Sequence, residues 1–154
     1  LDIPYLMYKS SLSVSMVAPK IALGATIETD NDDLYIKYGI SRAPLPSRRI
    51  EAMKKLKWPL KFISIEPILD FNLENFVKEL VAIRPIIAYV GYDNYNKRLP
   101  EPPLSKTLRL IEALSRNLIL VIRKTIRPAW NEGLGKYMEV DNEEEEEKRK
   151  EEGK

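Results

Sequence analysis

The sequence contains no cysteine and no histidine among its 154 residues. The absence of cysteine excludes disulfides, thiolate metal sites, a cysteine nucleophile and an iron–sulfur cluster held by this chain. The absence of histidine removes imidazole as a general base or metal ligand. Serine–histidine–aspartate and cysteine–histidine catalysis are therefore excluded within this chain, and we predict no metal site of the common zinc type.

Long apolar runs are also lacking. No stretch approaches the roughly 20 apolar residues that a bilayer crossing requires, and no signal segment opens the chain. These features predict a cytoplasmic protein without a membrane partner. The first residue is Leu1 rather than methionine, which favours an N-terminus that differs from that of the gene product.

Charge is distributed unevenly, although the formal net charge is only +2. Residues 141–154 hold eight acidic and four basic side chains, which leaves residues 1–140 with 21 basic and 15 acidic ones. A body of this charge suits phosphate-bearing partners. We predict one folded domain over residues 1–140 and a charged, disordered tail over 141–154. The Lys-, Glu- and Ile-rich composition is typical of thermophile proteins.

Apolar runs alternate with helical patterns along the chain. The runs with the length and composition of buried strands are Ile21–Glu28, Lys61–Ile65, Ile86–Gly91 and Leu118–Arg123. The helical patterns are Ser47–Leu56, Leu73–Ile83 and Pro103–Ser115, with Ser47 and Asn72 as predicted N-caps. Residues 29–46 form a long polar connection, a kind of loop that often carries function. Strands that alternate with helices indicate parallel β/α structure.

The number of strands limits the architecture. A closed eight-stranded barrel takes about 250 residues, so four strands are too few to close one. We therefore predict an α/β fold, either a partial (β/α) barrel or an open parallel sheet of about four strands with alternating helices. A partial barrel has open edges, which need a second chain or a missing N-terminal half.

Polar side chains follow the predicted strands at their carboxyl ends, where ligand pockets form in parallel β/α folds. The candidate site residues there are Thr26, Glu28, Ser64, Glu66, Asp93 and Asn94. Glu28 and Glu66 precede the turn residues, within the strand pattern itself. A carboxylate buried at such a position must be paired, bound to a ligand or protonated.

Structural roles are the alternative for these residues. Glu28 and Glu66 could form buried ion pairs with Arg123 and Lys124, without any ligand. Asp93 and Asn94 are residue types that stabilise turns through their own side chains, so for them the alternative is simple turn chemistry.

Several segments resemble the C-terminal part of the phage-type, radical-SAM-like family of uncharacterised proteins. The segments that carry the resemblance are LGATIET, RIEAMKKLK, KFISIEPILDF, YVGYDNYNKRLPEPPL and VIRKTIRPAWNE, between about residues 20 and 132. The Ser-Ile-Glu-Pro run and the Gly-Tyr-Asp-Asn-Tyr run with its Leu-Pro-Glu-Pro-Pro sequel are the most specific in combination. The resemblance implies a partial (β/α) barrel that uses S-adenosylmethionine and a [4Fe–4S] cluster.

The resemblance also implies roles for the strand-end residues. Thr26 and Glu28 match the position near the ribose and methionine of the cofactor, and Ser64 with Glu66 matches the motif beside it. The loop position after the next strand is matched by Asp93 and Asn94. The family's three-cysteine cluster motif has no counterpart here, since the chain has no cysteine. A [4Fe–4S] cluster would therefore come only from a missing N-terminal segment or a second chain.

The leading interpretation is the C-terminal portion of a radical-SAM-like protein that contributes S-adenosylmethionine or substrate contacts and is not catalytic alone. The alternative is a non-catalytic nucleic-acid-binding or assembly module built on a half barrel. Its predicted contacts to nucleic acid are Arg42, Arg48, Arg49 and Lys54. Such contacts to phosphates would make binding strongly salt-dependent. A third hypothesis is a carboxylate Mg²⁺ site at Glu28, Asp30 and Glu66.

Overall fold

The computed structural model describes residues 20–132. The strands are β1 (Leu23–Thr26), β2 (Lys61–Ile65), β3 (Ile87–Val90) and β4 (Leu120–Arg123). The helices are α1 (Asp32–Lys37), α2 (Pro46–Lys55), α3 (Leu73–Ile83) and α4 (Leu104–Arg116). The predicted disordered tail over 141–154 and the two ends of the predicted 1–140 domain lie outside the described residues.

The strands form one sheet in the order β1-β2-β3-β4, and every neighbouring pair is parallel. One row of the register joins Thr26, Ser64, Tyr89 and Ile122 across all four strands. The prediction of an α/β fold with a parallel sheet and alternating helices is confirmed. The arrangement is compatible with both forms of that prediction, a partial barrel and an open sheet.

One face of the sheet carries the hydrophobic core. Because each strand lies beside the one that precedes it in sequence, right-handed crossovers place α2, α3 and α4 on the same face. On β2 the residues that face the helices, Ile63 and Ile65, are fully buried, and on β3 so are Ala88 and Val90. Leucines and aromatic residues of the helices pack against them, chiefly Phe76, Leu80, Leu110 and Leu114.

The opposite face, here called the open face, has no helix of residues 20–132 packed on it. The alternate residues of β2 and β3, among them Phe62, Ser64 and Tyr89, are only partly buried. The Phe62 and Tyr89 rings meet edge to face with centroids 6.1 Å apart. The ring of Phe62 also occupies the space beside Gly24, where a Cβ atom would lie only 2.4 Å from it. Glycine on β1 thus lets an aromatic side chain lie across the sheet.

The long polar connection after β1 contains a helix that the sequence pattern did not predict. Asn31 caps α1, since its side-chain oxygen accepts a hydrogen bond of 3.0 Å from the Leu34 amide. Asp32 and Asp33 follow in the first turn, where negative charge complements the helix dipole. Tyr35 is the buried residue of this helix, so the apolar periodicity that identifies longer helices is absent here.

The predicted N-cap at Ser47 is wrong. Helix α2 begins at Pro46, one residue before the predicted range Ser47–Leu56, and its N-cap is Leu45. Proline suits the first turn, because the amide hydrogen that it lacks would have no partner within the helix there. The Ser47 hydroxyl instead donates to Asp32 Oδ2 at 2.5 Å, and its amide donates to Asp32 Oδ1 at 3.0 Å. Asp32 therefore joins the starts of α1 and α2.

The N-cap predicted for α3 is confirmed. The Asn72 side-chain oxygen accepts a hydrogen bond of 3.0 Å from the Asn75 amide. At the start of α4 the Leu104 amide donates to the Glu132 carboxylate at 3.0 Å, which connects that helix to the end of the described chain. Every helix within residues 20–132 is too short or too polar to span a bilayer.

Candidate functional site

Glu66 lies directly after β2, one of the two central strands, and its side chain extends over the open face. An added Cβ at Gly91 would lie 2.9 Å from Glu66 Oε1 and 3.0 Å from Lys124 Cβ. The carboxylate therefore occupies the space above a glycine, with a lysine on its far side. We call Glu66, Gly91 and Lys124 the strand-end row. Within residues 20–132 the partly buried Glu66 carboxylate makes no hydrogen bond or ion pair.

Lys124 stands at the other end of the strand-end row, after β4. Its ammonium nitrogen lies 5.7 Å from the centroid of the Tyr89 ring on the neighbouring strand. No carboxylate among the described residues lies within ion-pair distance of it. At the carboxyl end of the sheet the row thus presents one negative and one positive side chain, close together and without an ion-pair partner within residues 20–132.

Thr26 and Ser64 extend this site toward the first strand. They are register partners on β1 and β2, and Ser64 lies two residues before Glu66. Residues two apart on a strand share a face, so the Ser64 hydroxyl and the Glu66 carboxylate belong to the same side of the sheet. Of the residues predicted for the site, the structure brings Thr26, Ser64 and Glu66 together there.

Glu28 belongs to a different environment. Its Oε2 atom accepts a hydrogen bond of 2.7 Å from Arg49 Nη2, and the two side chains are 6% and 12% exposed. Arg49 also donates to the Thr26 carbonyl, and its guanidinium carbon lies 5.1 Å from the Tyr35 ring centroid. The Arg49 Nε and Tyr35 hydroxyl are buried and have no partner among the described residues. Glu28 thus forms a buried ion pair that joins β1 to α2.

Glu28 therefore forms a structural ion pair, but its partner differs from the ones that the sequence suggested. The sequence pattern suggested Arg123 or Lys124, across the mouth of the sheet, whereas the partner is Arg49 from the helix that follows β1. For Glu66 the expected ion pair with either residue does not form within the described chain.

Asp93 and Asn94 fix the loop between β3 and α4. The Asp93 Oδ2 atom accepts a hydrogen bond of 2.7 Å from the Lys97 amide, and Asn94 Oδ1 accepts one of 2.5 Å from the Thr125 hydroxyl. Both contacts are of the kind that stabilises turns and joins loops. The structure brings these two residues to the carboxyl end of the sheet, but one side-chain oxygen of each accepts a hydrogen bond within the loops.

The most buried carboxylate near this end is Glu101, which sequence reasoning did not identify. Its side chain is 1% exposed. It forms a bidentate ion pair with Arg127, with distances of 2.7 and 2.9 Å between its oxygens and the two guanidinium nitrogens. The backbone amides of Trp130 and Asp93 also donate to it, at 3.0 and 3.3 Å. Glu101 therefore connects the β3–α4 loop to the segment after β4.

Aromatic rings surround the same ion pair. The Arg127 guanidinium carbon lies 3.8 Å from the Trp130 ring centroid and 5.0 Å from that of Tyr92. The hydrogen bonds to Glu101 raise the pKa of Arg127, and burial raises the pKa of Tyr92. The Tyr92 hydroxyl contacts the Pro102 carbonyl at 3.0 Å and the Thr107 hydroxyl at 2.7 Å. The only signals in the sequence were the prolines that flank Glu101 and follow Arg127.

Two of the four residues predicted for nucleic-acid binding have close acidic partners. Arg49 is buried against Glu28, and Lys54 pairs with Glu79 on α3. Among the described residues, the acidic contact of Arg48 is a long one of 3.9 Å to Glu51, and Arg42 is exposed. The positive surface at α2 is therefore smaller than the sequence suggests.

The residues proposed for Mg²⁺ do not form one site. The Asp30 carboxylate accepts hydrogen bonds from the Asn72 amide at 3.0 Å and the Asn75 side chain at 2.8 Å. Glu28 forms its ion pair with Arg49. In the described part of the chain no three acidic side chains come together as a metal site would require.

No family model, curated protein or solved structure matches this chain. The resemblance to the radical-SAM-like family therefore depends on its sequence segments alone and stays a prediction.

Proposed function

We propose that this chain is the C-terminal portion of a radical-SAM-like β/α barrel and that its open face contributes contacts to S-adenosylmethionine. The observation that carries the proposal is the Glu66 carboxylate, which lies at a central strand end without a partner in the described chain. A partly buried carboxylate loses hydration, and a cationic or hydroxyl-bearing ligand compensates for that loss.

The charges of the strand-end row suit the methionine part of the cofactor. That moiety carries an ammonium, a carboxylate and a sulfonium. The Glu66 carboxylate can accept hydrogen bonds from the ammonium or from ribose hydroxyls, and the Lys124 ammonium can bind the carboxylate. The hydroxyls of Thr26 and Ser64 lie on the same face and can bind further polar atoms of the ligand. A zwitterionic ligand can bind Glu66 through its ammonium and Lys124 through its carboxylate at the same time.

Gly91 makes this arrangement possible. A side chain at this position would need the space that the Glu66 carboxylate takes, since its Cβ would be 2.9 Å from Oε1. Gly91 directly follows β3 and its amide donates to the Ile65 carbonyl at 3.1 Å, so it continues the line of the strand. Glycine at such a position often marks a place where a ligand or another backbone comes close. Because Gly91 has no side chain, the Glu66 carboxylate has room above it, and its free side is available to a ligand.

The chain has no residue that could hold a [4Fe–4S] cluster, because it lacks cysteine. When bound, such a cluster supplies the electron for cleavage of S-adenosylmethionine. In the proposed function the cluster belongs to an N-terminal half or a second chain. The part of this chain is to bind and orient the cofactor, and it does not catalyse the reaction alone.

The open face also supports an assembly role within the same proposal. Leu120 on β4 is 60% exposed, and Phe62 and Tyr89 are only partly covered by the described residues. The outer edges of β1 and β4 carry no strand among residues 20–132. A partner that supplies further parallel strands would cover the apolar residues and pair both edges.

Calorimetric titration of the full chain with S-adenosylmethionine tests the proposal. We expect saturable binding by the wild type and about tenfold weaker binding by Glu66→Gln, because a charge-assisted hydrogen bond is lost. Gly91→Ala should weaken binding as well, since its Cβ displaces the carboxylate. Glu74→Gln, on the exposed start of α3, is the matched control and should bind like the wild type.

The stability of the variants separates a ligand role from a structural one. Glu66→Gln should unfold at the same temperature as the wild type or higher, because no protein partner in the described chain is lost. A wild type that does not bind the cofactor, or a Glu66→Gln variant that binds it equally well, would refute the proposal for this chain.

A further inference from the structure

We propose a second binding site at the opposite end of the sheet, a cavity that takes a phosphate-bearing small molecule. The cavity, here called the amino-end cavity, lies at the start of β2 beside the last turns of α2 and α3. Its lining residues include Lys57, Lys61 and Arg84, with Trp58 and Pro59 as apolar wall. This site is independent of the strand-end row and of the function proposed for it.

Lys61 is the central residue of the cavity. As the first residue of β2 it faces the helices, and it is only 6% exposed. Its ammonium donates to the carbonyls of Met53 at 3.0 Å and Leu56 at 3.4 Å, at the end of α2. An ammonium has three N–H groups, so these contacts leave one without a carbonyl. No carboxylate of residues 20–132 pairs with it.

Arg84 adds a second positive charge close to Lys61. It ends α3 in the left-handed conformation, with a φ of 58°. Burial, and after it the positive charge of Arg84, lower the pKa of Lys61. Two cations that destabilise each other in the free protein are both stabilised when an anion lies between them.

Helix dipoles give the competing explanation for these cations. Lysine and arginine often lie at helix C-termini, where each helix end carries about half a negative charge. The ends of α2 and α3 together then offset about one positive charge. Lys57, Lys61 and Arg84 supply three, and the fourth cation of the cavity, Lys54, pairs with Glu79. About two positive charges remain, more than the dipoles can account for.

This excess indicates the chemical class of the ligand. A monocarboxylate would neutralise one charge, whereas a phosphate ester or a pyrophosphate group carries about two or more and has oxygens for several donors. The wall beside these cations is apolar and held in place, because the Trp58 indole N–H donates to the Ile21 carbonyl at 2.9 Å. The cavity is thus suited to a phosphate group that is attached to an apolar or planar body.

Titration of the full chain with pyrophosphate tests the inference, with sodium chloride at equal ionic strength as reference. We expect saturable binding, and about tenfold weaker binding by Lys57→Gln and by Arg84→Gln, since each loses one charged donor. Lys78→Gln, an exposed lysine on α3 outside the cavity, removes the same charge and should change affinity by less than about twofold. Both cavity variants keep Lys61 and the helix-end contacts.

Two results would overturn the inference. One is the absence of pyrophosphate binding by the wild type. The other is an equal loss of affinity in all three variants, which would indicate a general attraction to positive charge. Glu66→Gln should bind pyrophosphate like the wild type, so a failure here is distinguishable from a failure of the proposed cofactor site.

Discussion

Substitution of Arg127 by leucine should destabilise the fold strongly, because it leaves the Glu101 carboxylate buried without its cation. The Glu101 side chain is 1% exposed and, among the described residues, would keep only the amides of Trp130 and Asp93, at 3.0 and 3.3 Å. Loss of one partner of a buried ion pair typically costs roughly 3–5 kcal/mol. The remaining amides and the 19% exposure of the Arg127 side chain favour the lower end, about 3 kcal/mol.

Urea unfolding followed by far-ultraviolet circular dichroism measures this loss for the whole fold. Arg116→Leu is the matched control, because Arg116 pairs with Glu112 on the solvent-exposed side of α4 and should cost less than about 1 kcal/mol. Adding Glu101→Gln to Arg127→Leu should recover at least about 1 kcal/mol, since the buried charge is then removed. An Arg127→Leu variant that loses no more stability than Arg116→Leu would show that the Glu101–Arg127 pair does not stabilise the fold in this way.

Two further changes test other parts of the fold. Tyr92→Phe should cost about 1–2 kcal/mol at neutral pH, because the buried hydroxyl loses its contacts to Pro102 and Thr107. Since the pKa of Tyr92 is raised, the folded state keeps this proton when the unfolded state has lost it, so wild-type stability should fall as pH rises above about 10. Urea unfolding between neutral and alkaline pH should show a smaller fall for Tyr92→Phe, and an equal fall would contradict the assignment. Asn72→Ala should cost about 1 kcal/mol through loss of the α3 cap, whereas a cost near zero in the same assay would show that the cap is dispensable.

The main elements of the fold could be predicted because they bury regular apolar patterns. Residues Lys61–Ile65 and Leu73–Ile83 have the predicted bounds, and both contribute fully buried side chains to the core. Strand β1 is shorter than the predicted Ile21–Glu28, because only Leu23–Thr26 pairs with β2 as a strand. An apolar run shows which residues favour burial, but the extent of pairing depends on the neighbouring strand.

Short elements and caps were less predictable, since they depend on contacts that are distant in sequence. Helix α1 has a capping asparagine and acidic residues in its first turn, but Tyr35 is its buried residue, so it shows no apolar period. Ser47 has the chemistry of an N-cap, yet its hydroxyl binds Asp32, fifteen positions earlier. Local sequence cannot distinguish a serine that caps its own helix from one that binds a neighbouring helix.

The two carboxylates at the ends of β1 and β2 show why a site is harder to predict than a fold. Glu28 and Glu66 follow similar strand patterns, and the sequence alone assigns both to one cofactor site. The difference lies in the cations that their neighbours provide. Helix α2 places Arg49 against Glu28, which is thereby neutralised inside the fold. The neighbour of Glu66 directly after β3 is Gly91, which has no side chain.

Glu66 therefore keeps its carboxylate without a partner in the described chain, and the proposed function uses it for a ligand, while Glu28 connects a strand to a helix. The presence or absence of an acidic partner also distinguishes Lys54 from Lys61. Lys54 has an acidic partner on α3, whereas Lys61 is buried and, in the part of the chain that the structure describes, contacts carbonyls and has a second cation nearby but no carboxylate. In both cases the described residues leave a charge at one end of β2 unbalanced, and each proposal places an external group there, whose binding would stabilise the folded state. Because the two charges are opposite and lie at opposite ends of one strand, the groups that bind them should differ in kind.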